Sequence, residues 1–535
     1  MPALLDLPLA QLAVDAARLS FVGAVSLFLV VAVSDYLDGW RKRRQLGEIP
    51  IVDEGSNMSR LFRWNRPGFD LEKAIYEAYN KYSKAGKPFA ARLQHEDYAI
   101  ALPPSSGKEW RAIGHTQLSF LNALSEFADL SPHINVLSRT PIEAVHSCNN
   151  TSTIEKFQQL LAAETDIHLP PAFNPHKSPE RGELNTLSAV FSASSAIATS
   201  LILGSNTPNA PGFTANVTGY NDLMIYSRLL RVHYPWILRP LVWYFAPPCR
   251  QLRSHLSILR KLLTPEVKRR VGTIRRGGLK PQESSRSFSL LDILIETTFN
   301  NGTLSRFEPV ADENEQIDIL VQNVLLYHFE LARPTGMNIT FMLYTIMNHP
   351  EYIAPLREEI NGALNRFGGV WVPDLLAHAP KLESFCKETF RLHDISQFVN
   401  VRRVMQPLHL ESVNLSLKPG TLIMTPCRPV HLDAEHYKDP TAFDGFRFYD
   451  AASNTCTPRV STTSPIFLSF SHGTGTCPAR NFASQIARTV FIKLLLQYDF
   501  ELALDKMPQY GRVDGGIYFP NPAVMMRVRP REREI

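Results

Sequence analysis

Cysteine is scarce and unpatterned: six residues in 535, with no CxxC pair and no regular spacing. That excludes a disulfide framework and a structural zinc site, and it places the core in a reducing compartment. Charge is nearly balanced, 56 Lys and Arg against 51 Asp and Glu, for a formal +5. No basic stripe with interleaved aromatics accompanies that small excess, so nucleic acid is excluded as a partner. Internal repeats and low-complexity segments are also lacking. With 44% hydrophobic and 20% charged residues the composition is that of a globular protein with a sizeable core, and the length permits more than one domain.

An apolar run free of charge stands near the start, from Leu19 to Val33, and Asp35 ends it. It falls slightly short of the roughly 20 apolar residues of a bilayer span unless Arg18 snorkels at one end. A cleaved signal peptide would want a positive segment ahead of the run, and no Lys or Arg precedes Arg18. The basic cluster Arg41-Lys42-Arg43-Arg44 follows instead, which holds the next domain on the cytoplasmic side. Residues 1–37 therefore read as a membrane anchor and 38–56 as a basic, proline-containing linker. A buried core helix is the alternative for the apolar run.

Helical periodicity marks Phe69 to Ser83, much of 115–230, the long stretch 315–348, a helix ending near Arg366, and 382–393. Short strand-like runs at Phe89–Leu93 and Tyr98–Leu102 suggest a small β-subdomain near the membrane end. Further short strands are expected at 408–410, 415–417 and 421–424. The apolar, aromatic segment Tyr234–Phe245 is flanked by prolines that keep it from being a long helix. It suits either core or a loop dipping into a bilayer surface. Lys268 to Ser287 is basic and polar and reads as an exposed loop.

The chemistry gathers in the second half. Phe470-Ser471-His472-Gly473-Thr474-Gly475-Thr476-Cys477-Pro478-Ala479-Arg480 places one cysteine after a run of small residues and before an amphipathic helical segment, Asn481 to Tyr498. Small residues let the backbone pass close to something flat, and several N–H groups there can point at one sulfur. A thiolate held in that way is an electron-rich axial ligand for haem iron. A buried structural cysteine is the competing reading. Glu388-Thr389-Phe390-Arg391 sets a carboxylate and a guanidinium at i and i+3 on one helix face, and Arg447 follows within Phe443-Asp444-Gly445-Phe446-Arg447-Phe448. A Glu–Arg–Arg triangle could lock this irregular stretch, and the cysteine loop behind it, against the helix.

In this order the features resemble a microsomal cytochrome P-450, the haem-thiolate monooxygenase type that filamentous fungi use on secondary metabolites. The resemblance is carried by the anchor with its basic stop and by the long helix leading into Asn348-His349-Pro350-Glu351 and Leu356-Arg357-Glu358-Glu359-Ile360. The Glu388, Arg391 and Arg447 set and the Cys477 loop complete it. It implies a mainly α (α+β) fold, with a helical haem-thiolate domain over 57–535, a small β-rich subdomain and an N-terminal transmembrane helix. It further implies haem b with Cys477 as the proximal iron ligand, Phe470 packed near the sulfur and Gly473 in the cofactor-binding loop. Arg402 would meet a haem propionate, with Arg403 the alternative occupant, and Glu388, Arg391 and Arg447 would form a structural triad. Electrons from NADPH would arrive through a separate reductase. Location would be the endoplasmic reticulum membrane, single-pass, with the catalytic domain cytoplasmic. The substrate would be a small apolar molecule of terpenoid or polyketide type, hydroxylated, desaturated or oxidatively rearranged.

Three departures from the family pattern stand out. Gly475 stands where Arg or His usually reaches a propionate, and Ala479 where glycine is common. Counting back from His349-Pro350, the acid–alcohol pair that relays protons to bound oxygen falls on Arg333 and Pro334. Proline cannot donate a proton. Glu330 and Thr335 are the catalytic candidates for a relay through water. A haem-thiolate isomerase that does not activate oxygen is the alternative reading.

Overall fold

The computed structural model describes residues 46–52, 71–92, 98–127, 140–148, 150–174, 183–204, 210–232, 238–276, 289–300, 312–514 and 516–531, with short runs between 25 and 44 and single positions at 207 and 234. A central helix, Glu313–Asn348, runs through the molecule. It is apolar nearly all round, which suits a helix enclosed by others. Asp312 caps it by accepting the Asn314 N–H, and Glu313 and Glu315 complement the helix dipole. It stops at His349 because the residue before Pro350 is driven out of the helical region. Around it pack Thr186–Leu203, Pro247–Arg275 and Arg480–Gln497, the principal hydrophobic core.

A six-stranded sheet lies to one side, in the order Ile51–Val52, Phe89–Arg92, Tyr98–Ala101, Leu422–Pro426, Phe398–Val404, Leu118–Ser119. Tyr98–Ala101 runs parallel to Leu422–Pro426, with Ala99 opposite Leu422, and Phe398–Val404 runs antiparallel to it, with Arg402 opposite Ile423. The register slips between Val399 and Arg402, where Asn400 adopts φ 56°. A bulge of this kind turns a strand, and asparagine tolerates the left-handed backbone it requires.

Most helical expectations agree with the observed spans: 353–366, 380–392 and 480–497. Two stretches differ. Ile51–Val52, assigned to the linker, adds an edge strand to the sheet because its backbone pairs with Ala90 and Ala91. The helix Pro247–Arg275 continues through the first part of the stretch read as a loop from Lys268, since Leu263, Val267 and Val271 keep one face buried. Among the described residues one helix, Thr186–Leu203, is long and apolar enough to cross a membrane. Of its residues 72% are buried, and it is therefore a core helix. The apolar run 19–33 lies mostly outside the described residues; those described between 25 and 44 are helical and leave Val25, Leu29, Val30, Val33 and Tyr36 exposed.

Candidate active site

The helix Pro380–Leu392 carries the first part of the site. Arg391 meets Glu388 through two bonds, Nε to Oε2 and Nη2 to Oε1, both 2.7 Å, and both side chains are fully buried. Arg447 donates from Nε to Glu388 Oε1 at 2.9 Å. The remaining donors hold the irregular stretch: Arg391 Nη1 binds the carbonyls of His431 and Pro440, and Arg447 Nη1 that of Lys438. The triangle expected from the sequence is thus formed, and every arm ends on backbone that has no ladder of its own to satisfy it. Breaking such a buried pair costs about 3–5 kcal/mol.

The ligand loop is tied at several points. Cys477 N–H donates to Phe470 O at 2.8 Å, Thr476 N–H to Gly473 O at 3.0 Å, and Thr474 N–H to Arg111 O at 3.1 Å. Asn400 reaches over from the sheet bulge: its N–H donates to Ser471 Oγ at 3.0 Å, and its Oδ1 accepts from Ser471 Oγ at 2.6 Å. Gly473 is required twice over, by φ +86° and because a Cβ there would lie 2.7 Å from Arg111 Cβ. Phe470 packs edge-on to Phe390, with ring centres 6.1 Å apart. Burial pushes the Cys477 thiol up to about 11, and the charge of Glu330 adds to this, while the Ala479 N–H on the sulfur and Arg480 pull the other way.

Glu330 projects from the central helix toward the same space. Its side chain is exposed, although enough protein surrounds it for burial to dominate its ionisation. Cys477 is likewise partly accessible yet enclosed. Glu330 lies near enough to Cys477 for its charge to act on the thiol. Burial pushes the Glu330 carboxyl up to about 7. Pro334, one turn on, has no N–H for the Glu330 carbonyl.

Thr335 is fully buried, and its hydroxyl has no hydrogen-bond partner. At five residues from Glu330 it lies about 140° round the helix, so the two do not share a face. Arg333 is committed to other partners. It is ion-paired with Asp222, donates from Nη2 to Thr218 O at 3.0 Å and lies over the Phe191 ring at 4.5 Å. It ties the central helix to Ala210–Val232, and His328 adds to the tie by accepting from Asn221 Nδ2 at 3.0 Å.

Gly475 has a physical reason. A Cβ at that position would lie 1.1 Å from Arg402 Nη2. The guanidinium of Arg402 fills the space a side chain at 475 would take, and it stacks 5.3 Å from the Phe120 ring. Arg403, the alternative occupant, bonds Gly420 O instead. Arg111, which sequence reasoning did not single out, is the other cation at the loop. Its Nε and Nη2 are buried without hydrogen-bond partners. The adjacent Trp110-Arg111 after Pro103-Pro104 was the available signal, too common to stand out. Burial lowers the pKa of both arginines, that of Arg402 to about 10.

One enclosed sulfur, a glycine cradle and two buried guanidiniums lacking carboxylate partners fit haem, whose iron takes the thiolate and whose propionates take the cations. A second thiol, Cys427, sits with Asp394 and His431 in a buried group whose ligating atoms lie within 4.8 Å of one another. It does not suit a cation: His431 Nε2 already accepts the Leu468 N–H at 2.8 Å, and Arg391 and Arg428 supply positive charge beside it.

Residues 145–526 match the family model described as Cytochrome P450. Bicoumarin synthase desC of Aspergillus desertorum is 57% identical over 527 residues, covering 96% of this chain and 98% of that protein. Cytochrome P450 monooxygenase afvE of Aspergillus flavus is 48% identical, covering 89% and 99% respectively. Bicoumarin synthase ktnC of Aspergillus niger is 50% identical over 407 residues, 76% of this chain and 96% of that protein. Among solved structures, a retinoic acid-bound cyanobacterial CYP120A1 superposes with TM-score 0.61 at 14% identity, covering 88% of this chain and 96% of that one, which shows the shared fold.

Proposed function

The chain belongs to the cytochrome P450 family, and from that premise we propose that this haem-thiolate monooxygenase of secondary metabolism joins two coumarin-type phenols oxidatively. The observation that carries the proposal is the near-complete alignment, at 57% identity, with one bicoumarin synthase, seconded by 50% identity with another. This narrows the terpenoid or polyketide expectation to a planar aromatic lactone. The family implies a separate reductase and a small-molecule substrate.

Joining two aryl C–H bonds into one aryl–aryl bond removes two protons and two electrons; with O2 and two reductase electrons and their protons, the balance is two waters. Haem held by Cys477 supplies the oxidising power and the oxygen reduction. The chain's own residues supply the rest. Glu330, about half ionised near neutral pH, accepts the proton of a substrate phenol or holds it for return through water. Arg402 and Arg111 anchor the propionates in the role the family gives to a loop cation. Arg333 takes no part in proton transfer. Thr335 is not assigned to the same step as Glu330.

We place the protein on a membrane through residues 1–37, single-pass, in the endoplasmic reticulum with the catalytic domain cytoplasmic. The exposed apolar residues from Val25 to Tyr36 support this, as do Leu241, Tyr244 and Phe245, which the short helix Arg239–Phe245 presents outward.

The test is incubation of the purified protein with a phenolic coumarin, reductase and NADPH. The expected product has twice the substrate mass less two hydrogens and requires NADPH. A product carrying one added oxygen and no dimer would refute coupling. Turnover independent of NADPH would favour the isomerase reading.

A further inference from the structure

Among the described residues the triad and the ligand loop are not hydrogen-bonded to each other, yet both converge on His431. Its carbonyl accepts Arg391 Nη1 at 2.6 Å. Its ring Nε2 accepts the N–H of Leu468 at 2.8 Å and lies on the Phe467 ring, with centres 5.6 Å apart at 22°. Leu468 O in turn accepts the Ser471 N–H at 2.7 Å, within the turn that leads to Phe470 O and the Cys477 N–H. His431, Leu468 and Asp394 are all essentially without exposed surface.

The ring's tautomer follows from these contacts. Because Nε2 accepts, the proton sits on Nδ1, which has Asp394 Oδ2 3.6 Å away and Cys427 Sγ 4.0 Å away. An imidazolium could not accept the Leu468 N–H. Burial and the charges of Arg391 and Arg428 hold the ring in its neutral form, its pKa pulled down to about 3. The ring fixes Leu468, and the hydroxyl of Ser469 fixes the next residue by donating to Phe390 O at 3.3 Å.

We propose that His431 is a positioning residue for the haem ligand: it transmits the fixed position of the Glu388–Arg391–Arg447 triangle to the base of the Cys477 loop by accepting the Leu468 N–H. The proposal rests on the haem-thiolate reading. It concerns the geometry of the loop and needs no substrate.

The test compares His431→Leu and His431→Gln with wild type and with Ile360→Ala, a core truncation away from the loop. The readout is the reduced, CO-bound spectrum followed in mild denaturant, alongside the melting temperature. His431→Leu keeps ring-like bulk but no acceptor, and is expected to lose the red-shifted Soret band at least tenfold faster than wild type. Ile360→Ala, at a matched loss of melting temperature, is expected to lose it within threefold of wild type. His431→Gln, whose carbonyl can accept the N–H, is expected to restore at least half of the retention. Equal rates for His431→Leu and Ile360→Ala, or no rescue by glutamine, would overturn the proposal. Should His431→Leu give no folded protein, amide exchange of residues 464–476 in His431→Asn decides. A rise of tenfold or more, with residues 480–497 unchanged, supports the link, and uniform exchange overturns it. A wild-type protein without the red-shifted band would overturn the haem-thiolate reading itself, a distinct result.

Discussion

Gly475 and Arg402 make a pair that a double-mutant cycle can measure. In the family pattern a cation stands at the loop position; here the sheet strand supplies it, and the loop has given up its side chain. Gly475→Ala adds one carbon at a point 1.1 Å from Arg402 Nη2, well inside contact distance, so the guanidinium must leave. Moving the end of a flexible side chain costs little by itself, but leaving its buried polar partners unsatisfied costs about 1–3 kcal/mol. Taking about 2 kcal/mol, with every 1.4 kcal/mol worth tenfold, haem retention falls roughly 30-fold. Gly475→Ala has no left-handed backbone to pay for, so the loss comes from Arg402. In a background of Arg402→Ala the clash is gone, and Gly475→Ala should then be nearly neutral. The cycle should therefore show a coupling of about 2 kcal/mol, well above the roughly 0.3–0.5 kcal/mol scatter of independent sites. Haem transfer to apomyoglobin, followed by absorbance, gives the four rates. Wild-type retention in Gly475→Ala, or simple addition of the two effects, would show that Arg402 does not occupy that space.

Cys477→Ala should abolish the red-shifted Soret band of the reduced, CO-bound protein, whereas Cys427→Ala should leave its position unchanged; spectra of both variants check this. Glu330 is raised when folded, from 4.5 to about 7, so folding is favoured by its protonated form. Its contribution is fully present below about pH 4.5 and is lost as pH rises toward 7. The melting temperature of wild-type apoprotein minus that of Glu330→Gln should accordingly fall across that window, and a difference independent of pH would count against a buried carboxyl. Asp222→Asn removes the charge opposing Arg333, but Asp222 is largely exposed, so the expected cost is about 1 kcal/mol, read by denaturant titration. Arg333→Met should be neutral or stabilising, and neither change should alter the pH profile of turnover, as each would if Arg333 relayed protons.

The sequence by itself determined what is local. An i, i+3 spacing puts Glu388 and Arg391 on one helix face whatever surrounds them, Pro350 ends the central helix wherever it lies, and small residues ahead of Cys477 shape its loop. Spacing also reports angle about a helix axis, which separates Thr335 from Glu330. It does not say what each face meets. That Arg333 turns to Asp222 depended on where the helix Ala210–Val232 packs. That Arg402 fills the place of a side chain at 475 depended on a sheet bulge facing the loop. The bonds from Arg111 O to Thr474 and from His431 to Leu468 join residues 363 and 37 positions apart. Such contacts exist only once the chain has closed on itself, because a buried donor takes the acceptor that packing brings to it, and no residue's neighbours in sequence encode which one that is.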